Sequence, residues 1–158
     1  MTPREQTATA ITFFENTDDM SLLRACLEEA APRIKRMVGA YLQKGTEDAI
    51  PAPADVRGAR ESASQDAAVS CVRKTQDLAL LQAMTRAIGR RIETLEIAAS
   101  AEFPPGARVT VPEKRNYPRG GKELPGTVEE TGTVLTVLLD NGETWQGPSS
   151  LARLGAAK

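Results

Sequence analysis

The stretch Glu113-Lys114-Arg115-Asn116-Tyr117-Pro118-Arg119-Gly120-Gly121-Lys122-Glu123 gathers the groups best suited to holding an anion. Lys114, Arg115, Arg119 and Lys122 stand there against two carboxylates, Glu113 and Glu123. Clustered cations on a loop meet phosphates, and the ring of Tyr117 offers a face on which a base stacks. A solvated surface loop has the same composition, so the pattern marks a candidate and not a signature. A second basic set follows a helical pattern: Arg86, Arg90 and Arg91, with Arg73 and Lys74 upstream. Arg86 and Arg90 lie four apart and share a helix face. They would grip a phosphate backbone or, in a bundle, pair with Glu28, Glu29, Glu93 or Glu96. Trp145 is the only tryptophan and sits between Thr144 and Gln146, which favours a half-exposed binding face over a core position. Gly120-Gly121-Lys122 lacks the rest of a phosphate-loop pattern and its following Ser or Thr.

Reaction chemistry has little to work with. The chain has no histidine, so the commonest general base and metal ligand are both missing. Asp18-Asp19, Glu28-Glu29 and Glu129-Glu130 are adjacent pairs whose side chains diverge on a helix or strand, so none forms an acid–base dyad. Cys26 and Cys71 are isolated and lack zinc-site spacing. The expectation is no catalytic residue, no metal and no cofactor: not an enzyme. A formal net charge of −1 makes the whole chain no general attractor of nucleic acid. No apolar run is long enough for a membrane span, and Met1 to Thr12 lacks the apolar core of a signal peptide. A cytoplasmic protein without membrane contact is expected.

The elements that must position these residues fall into three parts. Residues 1–16 are polar and Thr-rich and read as a flexible arm. Residues 17–101 read as a long helical hairpin broken by a Pro-containing linker at 45–62. Its first helix, about 18–44, carries Leu23, Leu27, Ala30, Ile34, Met37, Val38, Tyr41 and Leu42 at helical spacing and bends at Pro32. The second runs from Ser62 to about Ala99, with Thr75-Gln76-Asp77 as the place where it would break. Its stripe is Leu81, Met84, Ile88, Ile92 and Leu95. Two such helices cover each other only in part, so Leu23, Leu27, Ile34, Leu81, Met84, Ile88 and Ile92 form a candidate assembly stripe for self-association or a larger complex.

Beyond Phe103-Pro104-Pro105-Gly106 the pattern changes to short strands: 107–112, 127–131, 133–139, 143–146 and 151–154. Asp140-Asn141-Gly142 marks a tight turn. Gly106-x-x-Val109-x-Val111, the long loop, Pro125-Gly126-Thr127-Val128, Val137-Leu138-Leu139-Asp140-Asn141-Gly142-Glu143 and the closing Pro148-Ser149-Ser150-Leu151 come in an order that resembles SH3-like small barrels, including KOW and Tudor-type domains. The resemblance covers residues 102–155. It implies a five-stranded barrel whose long first loop and neighbouring strands form a binding face. Only Tyr117 and Trp145 are available for an aromatic cage, so recognition of methylated side chains is not implied.

The fold class expected is therefore α+β, a long N-terminal helical hairpin followed by a small five-stranded SH3-like β-barrel. The function expected is a non-catalytic adaptor or structural accessory subunit, with a protein partner. The alternative is a nucleic-acid-binding accessory protein using loop 113–123 and the helix arginines.

Overall fold

Residues 1–16, expected as an arm, form a helix in the computed structural model, which describes residues 1–113 and 122–155. Helix α1 spans Pro3–Asn16. Thr2 Oγ1 accepts from the Glu5 amide at 3.2 Å while the Glu5 carboxylate accepts from the Thr2 amide at 2.7 Å, a reciprocal cap. Pro3 occupies the first turn, where its missing N–H costs nothing. Thr7, Ala10, Ile11 and Phe14 are buried, so the helix is fixed by one small apolar face.

Helix α2 spans Met20–Gln43 and continues through Pro32. Pro32 is exposed and, lacking an N–H, leaves the Glu28 carbonyl without its intrahelical donor. Asp19 caps the start, accepting from the Leu22 amide at 3.0 Å. The expected second long helix is two helices. Helix α3 is Gln65–Lys74, capped by Ser64, and helix α4 is Leu78–Ser100. The break falls at 75–77, where the Asp77 carboxylate accepts from the Leu80 amide at 3.2 Å. Among the described residues, four helices thus replace the long hairpin, because local N-caps divide the apolar stripe into shorter pieces.

The segment between α2 and α3 is extended apart from a single 3₁₀ turn at Glu47–Ala49. It is held by backbone bonds from Ala54 to the Ala79 carbonyl (3.0 Å), Ala59 to Ala8 (3.2 Å) and Ala63 to Thr9 (3.0 Å). Thr12 Oγ1 donates to the Ala59 carbonyl at 2.8 Å. Gly58 permits this approach: a Cβ there would lie 2.8 Å from Thr12 Oγ1 and 3.0 Å from a Glu15 carboxylate oxygen. The helical core contains Ile11, Phe14, Leu23, Val72, Leu81, Met84 and Ile88.

The chain divides into two compact units, Met1–Ile92 and Glu93–Lys158. The second holds β1 (Arg108–Pro112), β2 (Glu123–Glu130), β3 (Leu135–Leu139), β4 (Thr144–Gly147) and β5 (Arg153–Leu154). All ladders among these strands are antiparallel, in the order β4-β3-β2-β1-β5. The described strands form an open five-stranded sheet with β4 and β5 at its edges, not a closed barrel. Alternation places Val109, Val111, Val128, Leu135, Val137, Leu139 and Trp145 on one buried face, joined by Phe103 and Ala152.

The end of α4 supplies a polar anchor to the same unit. Glu96 is only 4% exposed. Its carboxylate accepts from the Ser150 amide at 3.1 Å and the Ser150 hydroxyl at 2.8 Å, and the Ser149 hydroxyl lies 2.8 Å from it. These donors open the 3₁₀ turn Ser149–Leu151, so a buried negative charge meets a converging set of N–H and O–H groups.

Candidate functional site

Lys114, Arg115, Tyr117 and Arg119 of the basic loop lie outside the described residues. At its far end Lys122 is exposed, and its carbonyl accepts from the Glu113 amide at 3.0 Å. Trp145 does not form the half-exposed face expected for it. It is 4% exposed in the sheet core, and its Nε1 donates to the Pro112 carbonyl at 3.2 Å. Gly147 makes the space: a Cβ there would stand 2.7 Å from the indole. Sequence context misleads here because polar neighbours on a strand point to the opposite face and say nothing about the residue between them.

The assembly stripe is mostly used inside the chain. Leu23, Leu81, Met84 and Ile88 have no exposed surface, whereas Leu27, Ile34 and Ile92 are half-buried. The part that stays open is narrower and lies along α2. Leu27, Ala31, Ile34, Val38 and Leu42 line a groove of about 510 Å³, joined by Lys35, Gly39 and Thr85. Leu42 is 49% exposed. Val38 and Leu42 belong to the helical pattern in the sequence, but only the fold shows that the C-terminal half of this stripe is left uncovered.

The helix arginines separate by role. Arg73 forms a two-bond pair with Glu29 (2.8 and 2.9 Å), which holds the Glu29 carboxyl below its usual range. Arg91 donates to the Thr17 carbonyl at 2.9 Å and to Asp18 at 2.6 Å, closing the end of α1. Arg86 and Arg90 line a second cavity of about 510 Å³, and both are exposed. Arg57 from the extended segment joins them there, with Glu15, Asp55 and the backbone of Pro53 to Gly58 around it. Arg57 and Arg86 make no ion pair or hydrogen bond among the described residues. No sequence pattern joins Arg57 to the other two, because the extended segment is brought to α4 by backbone bonds.

Both cysteines are free, and burial pushes each thiol up, which makes them poor nucleophiles. Cys71 lines a larger cavity of about 860 Å³ with Thr7, Gln6 and Lys74. Among the described residues no cluster of His, Cys, Asp or Glu could hold a metal ion, and no helix is long and apolar enough to cross a membrane. No family model, curated protein or solved structure matches the chain.

Proposed function

We propose that the protein is a non-catalytic adaptor or structural accessory subunit that assembles through its helical unit and presents the sheet unit to a partner. The observation that carries this reading is the open apolar groove along α2, in a unit whose helical core is already full. Exposed aliphatic surface of this kind is stabilised by covering it. The occupant is a second copy of the chain. Glu28 and Lys35 are both exposed, sit two turns apart on α2, and make no ion pair within the chain among the described residues. An antiparallel two-fold pairing near Ala31 sets Glu28 of each copy against Lys35 of the other, while Ala31 and Gly39 leave room for close approach.

The sheet unit is read as an SH3-like module. In support, β1 lies between β2 and β5, and a 3₁₀ turn precedes the last strand. Its partner-facing surface would include the 113–123 loop, and two free thiols suit action in the cytoplasm.

Sedimentation velocity over a wide concentration range tests the assembly. Wild type should dimerise. Val38→Asp and Lys35→Glu should each give monomer, and Glu28→Lys with Lys35→Glu should restore the dimer. A wild-type monomer at every concentration, or a double variant that stays monomeric, overturns the pairing.

A further inference from the structure

We infer that the cavity between the extended segment and α4 is a binding site for the phosphate group of a small phosphorylated molecule. Its wall is built by three elements far apart in sequence: Glu15 near the end of α1, the backbone of residues 53–58, and Arg86 and Arg90 of α4. Three arginines, Arg57, Arg86 and Arg90, line this cavity of about 510 Å³, a volume that suits a small ligand. Two of them, Arg57 and Arg86, have no partner among the described residues, so no ion pair in this unit neutralises them. Guanidinium forks match the paired oxygens of a phosphate, and an anion held by Arg57 and Arg86 supplies them with the partner they lack among the described residues.

The wall is held in place. Ala54 and Ala59 anchor the segment to Ala79 and Ala8, and Thr12 bonds to the Ala59 carbonyl at 2.8 Å. Gly58 lets the segment lie against Thr12 and Glu15, a closeness at which an added Cβ would force the Thr12 hydroxyl and the Glu15 carboxylate to shift. Arg57 is therefore carried on a backbone fixed at both ends, which reduces the ordering cost of binding.

Two features favour a small molecule over a polymer. The arginines face a concavity with walls, not an open stripe along which a strand could run. The same cavity carries the carboxylates of Glu15 and Asp55, which would repel neighbouring phosphates of a polyanion but accept hydrogen bonds from ligand hydroxyls. A phosphorylated polyol satisfies both halves of the lining.

The test is calorimetric titration of the full chain with ribose 5-phosphate, with ribose, inorganic phosphate and a single-stranded oligonucleotide as separate arms. Ribose 5-phosphate should bind, inorganic phosphate more weakly, and ribose not at all. Arg86→Gln and Arg57→Gln should each weaken ribose 5-phosphate at least tenfold without changing the circular dichroism or melting temperature of the free protein. Gly58→Val, which displaces the wall but keeps every charge, should weaken it as well. Undetectable binding, or affinity unchanged in both arginine variants, overturns the site. Tighter binding of the oligonucleotide, steeply weakened by salt and lost in the same variants, overturns the small-molecule assignment in favour of nucleic acid. Because the cavity and the α2 groove share no residue, Val38→Asp should leave this binding intact.

Discussion

The sheet unit gathers most of its apolar residues into one core, with Ile97, Val134, Leu138 and Leu154 left at its surface, whereas the helical unit keeps a continuous apolar groove along one helix. In the sheet, alternation sends Val109, Val111, Val128, Val137 and Trp145 to one face, where Phe103 and Ala152 complete the core. Even the buried charge of Glu96 is met by donors from Ser149 and Ser150. In the helical unit the core is equally full at Phe14, Leu23, Leu81 and Met84, yet the apolar stripe of the C-terminal half of α2 is only partly covered and two arginines stand unneutralised among the described residues. A fold that largely satisfies one unit and leaves the other unfinished places the unmet demands where ligands and partners would answer them. The difference arises from element geometry. A short strand exposes and buries alternate residues in strict register, while a helix as long as α2 outruns the neighbours available to cover it.

The sharpest way to break the contrast is to open the sheet core. Trp145→Ala removes the largest side chain in that cluster and the bond to Pro112, and should destabilise the sheet unit by about 3–5 kcal/mol. Denaturant titration followed by amide exchange of β2 and β3 should show early loss of protection there while α1 keeps its own. Equal loss in α1 would mean that the two units are one cooperative structure. A smaller effect is expected from Glu96→Ala, which strands the Ser150 amide and hydroxyl and should cost about 3 kcal/mol. If it costs nothing, the anchor is dispensable and the sheet is less self-contained than its packing implies.

The smallest effect concerns the helical surface. Arg73 depresses the Glu29 carboxyl, so the stabilisation from that pair is present above the usual carboxylate range and fades as pH falls through the lowered folded value. Both partners are substantially exposed, so the contribution is small and salt-sensitive. Glu29→Gln should flatten the acid side of the stability profile slightly, and high salt should flatten that of the wild type in the same sense. A profile unaltered by the substitution would mean that the pair adds nothing to the packing of α2 on α3.

Much of the strand pattern is legible in the sequence because period-two alternation and the Asp140-Asn141-Gly142 turn are local signals. The break near Thr75-Asp77 is legible for the same reason, since Asp77 can cap the helix that starts at Leu78. Helix α1 is harder to see, although Thr2-Pro3-Arg4-Glu5 is a capping box with proline in the first turn. A Thr-rich composition obscures the modest apolar face of Ala10, Ile11 and Phe14. The burial of Trp145 is not legible, because its cradle depends on a glycine two residues on whose role emerges only when β4 is in place. Nor is the arginine cavity, where Arg57 and Arg86 are separated in sequence by α3 and the first turns of α4 and brought together by tertiary backbone bonds. The helical stripe is plainly apolar in the sequence, but its division between interior and surface depends on which neighbours arrive.

Trp145 also gives the molecule a built-in spectroscopic division of labour. It is the sole tryptophan and lies within the sheet core, so intrinsic indole emission reports on that unit and not on α1 to α3. Far-ultraviolet dichroism is dominated instead by α1 to α4. An unlabelled sample thus carries two independent optical channels, and whether their melting curves superimpose tells directly whether the chain unfolds in one step or two.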